Sequence, residues 1–190
     1  MRIAGMVLAV DFTAPALMAL LAMVLPPPAL AQMLGACILH EAAHFLAMVL
    51  LRRKPACLRV SAAGLRLTVQ GDALCPPGTY SAILLAGGAA NFLAGAFLLW
   101  AKKPDAAWAH ISLGLFNLLP YRSTDGGTLV LMLLEQRFLT TAPEKPGRIM
   151  RGLCIAITAG LSVLLGAAGI TSPSLWGMLL FMGIADVMAE

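Results

Sequence analysis

The sequence predicts an all-α polytopic membrane protein with about six transmembrane helices and a short β-hairpin between spans two and three. Three observations carry this. First, 60% of the 190 residues are hydrophobic and only 12% are charged, whereas a soluble domain is roughly half apolar and about a quarter charged. Second, the apolar residues come in runs of the ~20 needed to cross a bilayer core. Third, Lys and Arg gather in the short gaps between those runs, a pattern of membrane topology and contact with lipid headgroups. The net charge of +4 therefore points away from nucleic acid as a partner and toward the lipid bilayer. No polar linker or internal repeat divides the chain, so residues 1–190 read as a single integral-membrane domain.

The first apolar run extends from Ile3 to Leu25 and closes at Pro26-Pro27-Pro28. The Ala29-Leu30-Ala31 that follows mimics a signal-peptide cleavage site, but Asp11 inside the run and the nearby proline triplet favour a retained span. The second run, Ala29 to Leu51, ends at Arg52-Arg53-Lys54, and the third, Tyr80 to Ala101, ends at Lys102-Lys103. The fourth is broken: Trp108 to Leu119, a kink around Pro120, then Gly126 to Leu134. The fifth covers Ile149 to Ile170 and the sixth, shorter, Ser174 to Ala189. If six spans alternate, Arg2, the Arg52-Arg53-Lys54 gap and the Arg137 to Arg151 gap share one side, which should be cytoplasmic. Both termini are then expected in the cytoplasm, with Lys102-Lys103 the exception to the rule. The localisation expected is a membrane crossed several times by the chain.

Between spans two and three the period changes. In residues 57–71, Leu65, Leu67 and Val69 alternate with Arg66, Thr68 and Gln70, and Leu58 and Val60 flank Arg59. That pattern predicts two short strands joined around Ala62-Ala63-Gly64. Such a hairpin either fills an interfacial loop or offers an edge able to accept a substrate strand.

The chemistry is concentrated in the second run, where the stretch ILHEAAHFL (residues 38–46) places His40, Glu41 and His44 among apolar residues. On a helix, residues four apart differ by about 40° in azimuth and about 6 Å in height. His40 and His44 can therefore hold one metal ion, and Glu41, about 100° round from His40, can reach a metal-bound water without ligating the metal. A hydrolytic zinc commonly takes three protein ligands plus water. The only other histidine is His110, beside Trp108, which reads as an interfacial residue. Asp125, in FNLLPYRSTDGG (residues 116–127), is the better third ligand. A carboxylate at membrane depth is costly unless paired or metal-bound, and the break at Pro120 with Gly126-Gly127 lets backbone unwind there. The cysteines, Cys37, Cys57, Cys75 and Cys154, show no CxxC spacing, and Cys37 and Cys154, inside apolar runs, read as small buried hydrophobes. The glycines at 87, 88, 95 and 114 read as places of close helix packing.

His40-Glu41-Ala42-Ala43-His44, followed by Asn117-x-x-Pro120-x-x-x-x-Asp125-Gly126, resembles the site-2 protease family of intramembrane zinc metalloproteases. The compact layout is most similar to the bacterial sporulation branch, which processes a pro-sigma factor. The resemblance implies Zn²⁺ as cofactor, His40, His44 and Asp125 as its ligands, and Glu41 as catalytic base. Gly87-Gly88-Ala89-Ala90-Asn91 stands where the family usually has Gly-Pro-x-x-Asn, and Ser123-Thr124 stand where Pro-Leu is frequent in the sporulation branch. The resemblance also implies substrate binding by Asn91 and Asn117, for which interhelical hydrogen bonding and capping of the helix break remain equal alternatives. The activity implied is regulated intramembrane proteolysis of a membrane-associated protein, such as a pro-sigma or anti-sigma factor, under a regulatory membrane protein. A membrane metal-ion transporter or sensor using the same His/His/Asp set is the rival reading, but it gives Glu41 no specific role.

Overall fold

The computed structural model describes residues 2–3, 6–10, 13–53, 55–61, 64–69, 75–138 and 141–188. The described chain forms two compact units, Met1–Asn117 and Leu118–Glu190.

The first unit begins with β1 (Arg2–Ile3) and β2 (Met6–Val10), then α1 (Thr13–Val24) and the long α2 (Pro27–Leu50). Strands β3 (Pro55–Ser61) and β4 (Gly64–Val69) follow, then α3 (Pro77–Trp100) and α4 (Pro104–Leu118). The strands form one sheet in the order β1-β2-β3-β4. Strand β3 pairs antiparallel with β4, with Leu58 opposite Leu67 and Val60 opposite Leu65, and β2 runs parallel to β3. The expected turn residues Ala62-Ala63, together with Asp11, Lys54, Gln70 and Ala189, lie outside the described residues.

The expected first span is corrected by this arrangement. Residues 3–25 are not one membrane-crossing helix; they contain β1, β2 and a 12-residue α1. Twelve residues rise about 18 Å, well short of the ~30 Å hydrocarbon core. A continuous apolar run has no period by which a buried strand can be told from a helix, and here the partner strand β3 decides. With it, the six expected spans are not all shown as membrane-length helices. Among the described residues three helices are long and apolar enough to cross a membrane: Pro27–Leu50, Pro77–Trp100 and Lys145–Ala167.

Local chemistry sets the ends of these helices. Pro27, Pro77 and Pro104 each occupy the first position of a helix, where the missing N–H costs nothing and φ is already helical. Helix α2 closes with Arg52 at φ 55°, Arg52 N–H donating to Val49 O at 3.1 Å and Arg53 N–H to Met48 O at 2.7 Å. Lys102, at φ 57°, closes α3 in the same way. These are Schellman ends with a cation rather than glycine in the left-handed position, beside the negative end of the helix dipole.

The surface of α2 and α3 is inverted relative to a soluble protein. Leu46, Leu50, Leu93 and Phe97 are exposed, while Gly87, Gly88, Asn91 and Gly95 are buried. Lipid-facing helices gain nothing by hiding leucine, so small and polar residues take the interior. Met48 and Ile83 form the apolar contact between α2 and α3, flanked by Ala47 and Tyr80.

The second unit contains α5 (Asp125–Phe138), α6 (Lys145–Ala167) and α7 (Pro173–Met188). Tyr121, Met150 and Cys154 are its buried core, packed by Leu119, Val130, Leu131 and Ile157. Residues 119–124 interrupt the expected fourth span, and the 16-residue α7 stands in place of the short sixth.

Candidate metal centre

Helix α2 buries Ala36, His40, His44 and Met48, one residue per turn. The spacing of four stacks the two imidazoles on one face, where they are 4% and 6% exposed. Their Nε2 atoms lie 3.1 Å apart. Two nitrogens on one zinc, each at ~2.0–2.1 Å, are about 3.3 Å apart in tetrahedral geometry, so the pair is spaced to share an ion. His44 Nδ1 is 2.7 Å from Ile83 O. A carbonyl only accepts, so Nδ1 carries the proton and the Nε2 lone pair faces the shared space. A carbonyl holding the far nitrogen of a ligating histidine is the usual support of such a site.

Gly87 on α3 backs onto both rings. A Cβ there would stand 2.5 Å from His44 Nε2 and 2.7 Å from His40 Nε2. The glycine therefore leaves a cradle against the two candidate ligand atoms, and the residues present fit a divalent metal. Glu41, next on α2, is partly buried and turned about 100° from His40 along the helix.

Asn91, one turn beyond Gly87, is fully buried. Its Nδ2 is 3.2 Å from His40 Nδ1, and its Oδ1 is 3.1 Å from His110 Nδ1. His110, expected at an interface, bonds here to the residue that holds His40. The sequence carries a signal for this, since Ala107, His110, Gly114 and Asn117 fall on one side of α4 at helical spacing. Asn117 itself donates from Nδ2 to Leu113 O, one turn back, at 3.1 Å.

In the second unit, Asp125 is the first residue of α5, where the helix dipole favours a negative charge. Thr124 is buried just before it and accepts from Gly127 N–H at 3.2 Å, an N-cap bond. The Thr124 hydroxyl also reaches the carbonyls of Leu119 and Tyr121, the latter at 2.8 Å. Gly126 and Gly127 permit this tight entry. A Cβ on Gly126 would meet Leu118 O at 2.3 Å, and one on Gly127 would meet Tyr121 O at 1.7 Å.

The structure is similar to that of the site-2 protease from Methanocaldococcus jannaschii, with a TM-score of 0.67 over 100% of this chain and 94% of that chain. The chain has a site-2 protease fold. Sequence identity between the two is 18%, so the likeness establishes the fold, while activity has to be argued from the site. No family model and no curated protein matches the sequence. Within the site-2 protease fold, His40, His44, Gly87 and Asn91 lie on α2 and α3 of the first unit, and Asp125 opens α5 of the second.

Proposed function

We propose that this protein is an intramembrane zinc metalloprotease that hydrolyses a peptide bond of a membrane-associated protein substrate. The observation that carries the reading is the histidine pair: two Nε2 atoms 3.1 Å apart, against Gly87, in a helix long enough to span a membrane. By the motif resemblance, the metal set is His40, His44 and Asp125. In this reading Asp125 is the third protein ligand, which leaves a fourth position open to water or substrate.

When bound, zinc would supply Lewis acidity and a water acidic enough to ionise near neutral pH. The remaining chemistry belongs to the chain. Glu41 takes the proton of the attacking water and later returns it to the leaving amine. Asn91 and Asn117 are the candidates for holding the substrate backbone. A substrate in helical form hides its carbonyls in intrahelical bonds, so the cleaved segment must be extended. Strand β4 is an edge of the sheet and lies beside α2, a place where an extended segment can add by main-chain pairing. The sporulation-branch resemblance favours a pro-sigma or anti-sigma factor as substrate and a membrane protein as regulator. The long apolar helices and the branch resemblance favour a bacterial membrane as its location.

The test is Glu41→Gln in the purified, reconstituted protein, with zinc content and cleavage of a membrane-tethered substrate both measured. Zinc should stay stoichiometric while cleavage falls by about 10²–10⁴, the usual worth of a general base. A wild type that transports metal and cleaves nothing, with transport intact in the variant, would establish the transporter reading instead.

A further inference from the structure

The buried polar groups around the histidine pair form a hydrogen-bond chain with a single direction. Asn91 Oδ1 can only accept, so His110 Nδ1–H donates to it across 3.1 Å. Asn91 Nδ2 can only donate, so His40 Nδ1 accepts across 3.2 Å. The proton of neutral His40 then sits on Nε2 and points at His44 Nε2, 3.1 Å away. His44 Nδ1–H donates onward to Ile83 O at 2.7 Å.

A cation bound through both Nε2 atoms requires the first half of this chain to reverse. His44 is already in the right tautomer, with its proton on Nδ1. His40 must lose its Nε2 proton and carry one on Nδ1, which then donates to Asn91. Asn91 must turn its amide by about 180° so that Oδ1 accepts from His40, an exchange of two groups of nearly equal size. Its Nδ2 then faces His110 Nδ1, which has to present a lone pair and carry its proton on Nε2 instead. His40 and His110 each lose one proton and gain one, so no net proton is consumed. Asn91 has no exposed surface, and a buried N–H is harder to leave unpaired than a carbonyl oxygen, so losing His110 disfavours the metal-bound orientation of the amide more than the free one.

We infer that His110, acting through the orientation of the Asn91 amide, is a positioning residue for His40 and sets how tightly the α2 histidine pair holds its metal. The inference rests on the metal-site reading above. The fold serves it by bringing α4 close to α3. A Cβ on Gly95 would meet Ile111 Cγ1 at 2.6 Å, and one on Gly114 would meet the Phe92 ring at 3.2 Å. That approach is what sets His110 beside Asn91.

The experiment measures zinc affinity by chelator competition, and histidine tautomers by ¹⁵N NMR, in the full-length protein in detergent. Wild type should bind zinc, with the His40 and His110 protons exchanging nitrogens on loading. His110→Phe should weaken zinc binding about 10-fold, toward the lower end of the 10–100-fold cost of losing a partner behind a ligand. His110→Gln, whose amide oxygen can accept from Asn91, should recover to within about twofold of wild type. In an Asn91→Asp background the carboxylate accepts from His40 whichever way it turns, so adding His110→Phe should then have no effect. Equal weakening by Phe and Gln, or a His110→Phe cost that persists in full in the Asn91→Asp background, would overturn the inference as mere packing. Wild-type affinity in His110→Phe would overturn it outright. A folded wild type that holds no zinc would instead bring down the metal-site reading and this inference with it.

Discussion

Gly87 backs directly onto His44: a Cβ on the glycine would stand 2.5 Å from the imidazole Nε2. In the proposed metal site, the cradle against α2 is therefore a missing methyl group on α3. Gly87→Ala should fold but lose zinc affinity at least about tenfold, since the ligand rings must move from their supports. Gly35 provides the control on α2, with nothing within 4 Å of its would-be Cβ. Gly35→Ala should leave zinc binding unchanged and stabilise the helix by about 0.5–1 kcal/mol. Zinc titration together with thermal unfolding in detergent separates the two outcomes.

Metal removal should be visible as lost stability. A ligand that binds only the folded state contributes about 2.7 kcal/mol at one hundred times its dissociation constant. Adding a chelator should lower the unfolding midpoint of the wild type. The same treatment should leave His44→Ala unchanged, because that variant has lost one of the two proposed α2 ligands.

Thr124 holds the entry to α5 through its bond from Gly127 N–H and its reach to two carbonyls. Thr124→Val should cost about 1–2 kcal/mol, the worth of an N-cap at a buried site. Thr124→Ser, which keeps the hydroxyl, should stay within a few tenths of wild type. If Asp125 is a zinc ligand, only the valine variant should also bind zinc more weakly.

Within the second unit, the hydroxyl of buried Tyr121 meets Thr158 Oγ1 at 2.8 Å. Tyr121→Phe should destabilise by about 1 kcal/mol, a typical net hydrogen bond. Combining it with Thr158→Val should cost less than the two single changes added together, because both remove the same bond. Denaturant titration of the four proteins reads the coupling.

Much of the candidate site was legible because its spacing is local. The pair His40 and His44 falls on one helical face by the four-residue interval alone, and the same interval relates Gly87, Asn91 and Gly95 on α3. The partnership between those faces was not legible. Asn91 could be assigned to substrate by its motif, but nothing in its neighbours announced that it would lie between His40 and His110. Likewise His110 beside Trp108 has the composition of an interface residue, and only the close approach of α4 at Gly95 and Gly114 gives it a buried partner.

The sequence by itself determined the three long apolar helices, the interruption after Leu118 and the placing of His40 and His44 on one helical face. These depend on hydropathy, on proline's fixed φ and on a 3.6-residue period, all of which act over a few neighbours. Tertiary structure decided that residues 3–25 yield β1, β2 and a short α1 rather than a span, because β2 pairs with β3 residues 50 positions downstream. It also decided which atoms surround the histidines: Gly87 at their face, Ile83 O behind His44 and Asn91 behind His40. Those contacts join helices distant in sequence, and a hydrogen bond between them leaves no period in the chain to read.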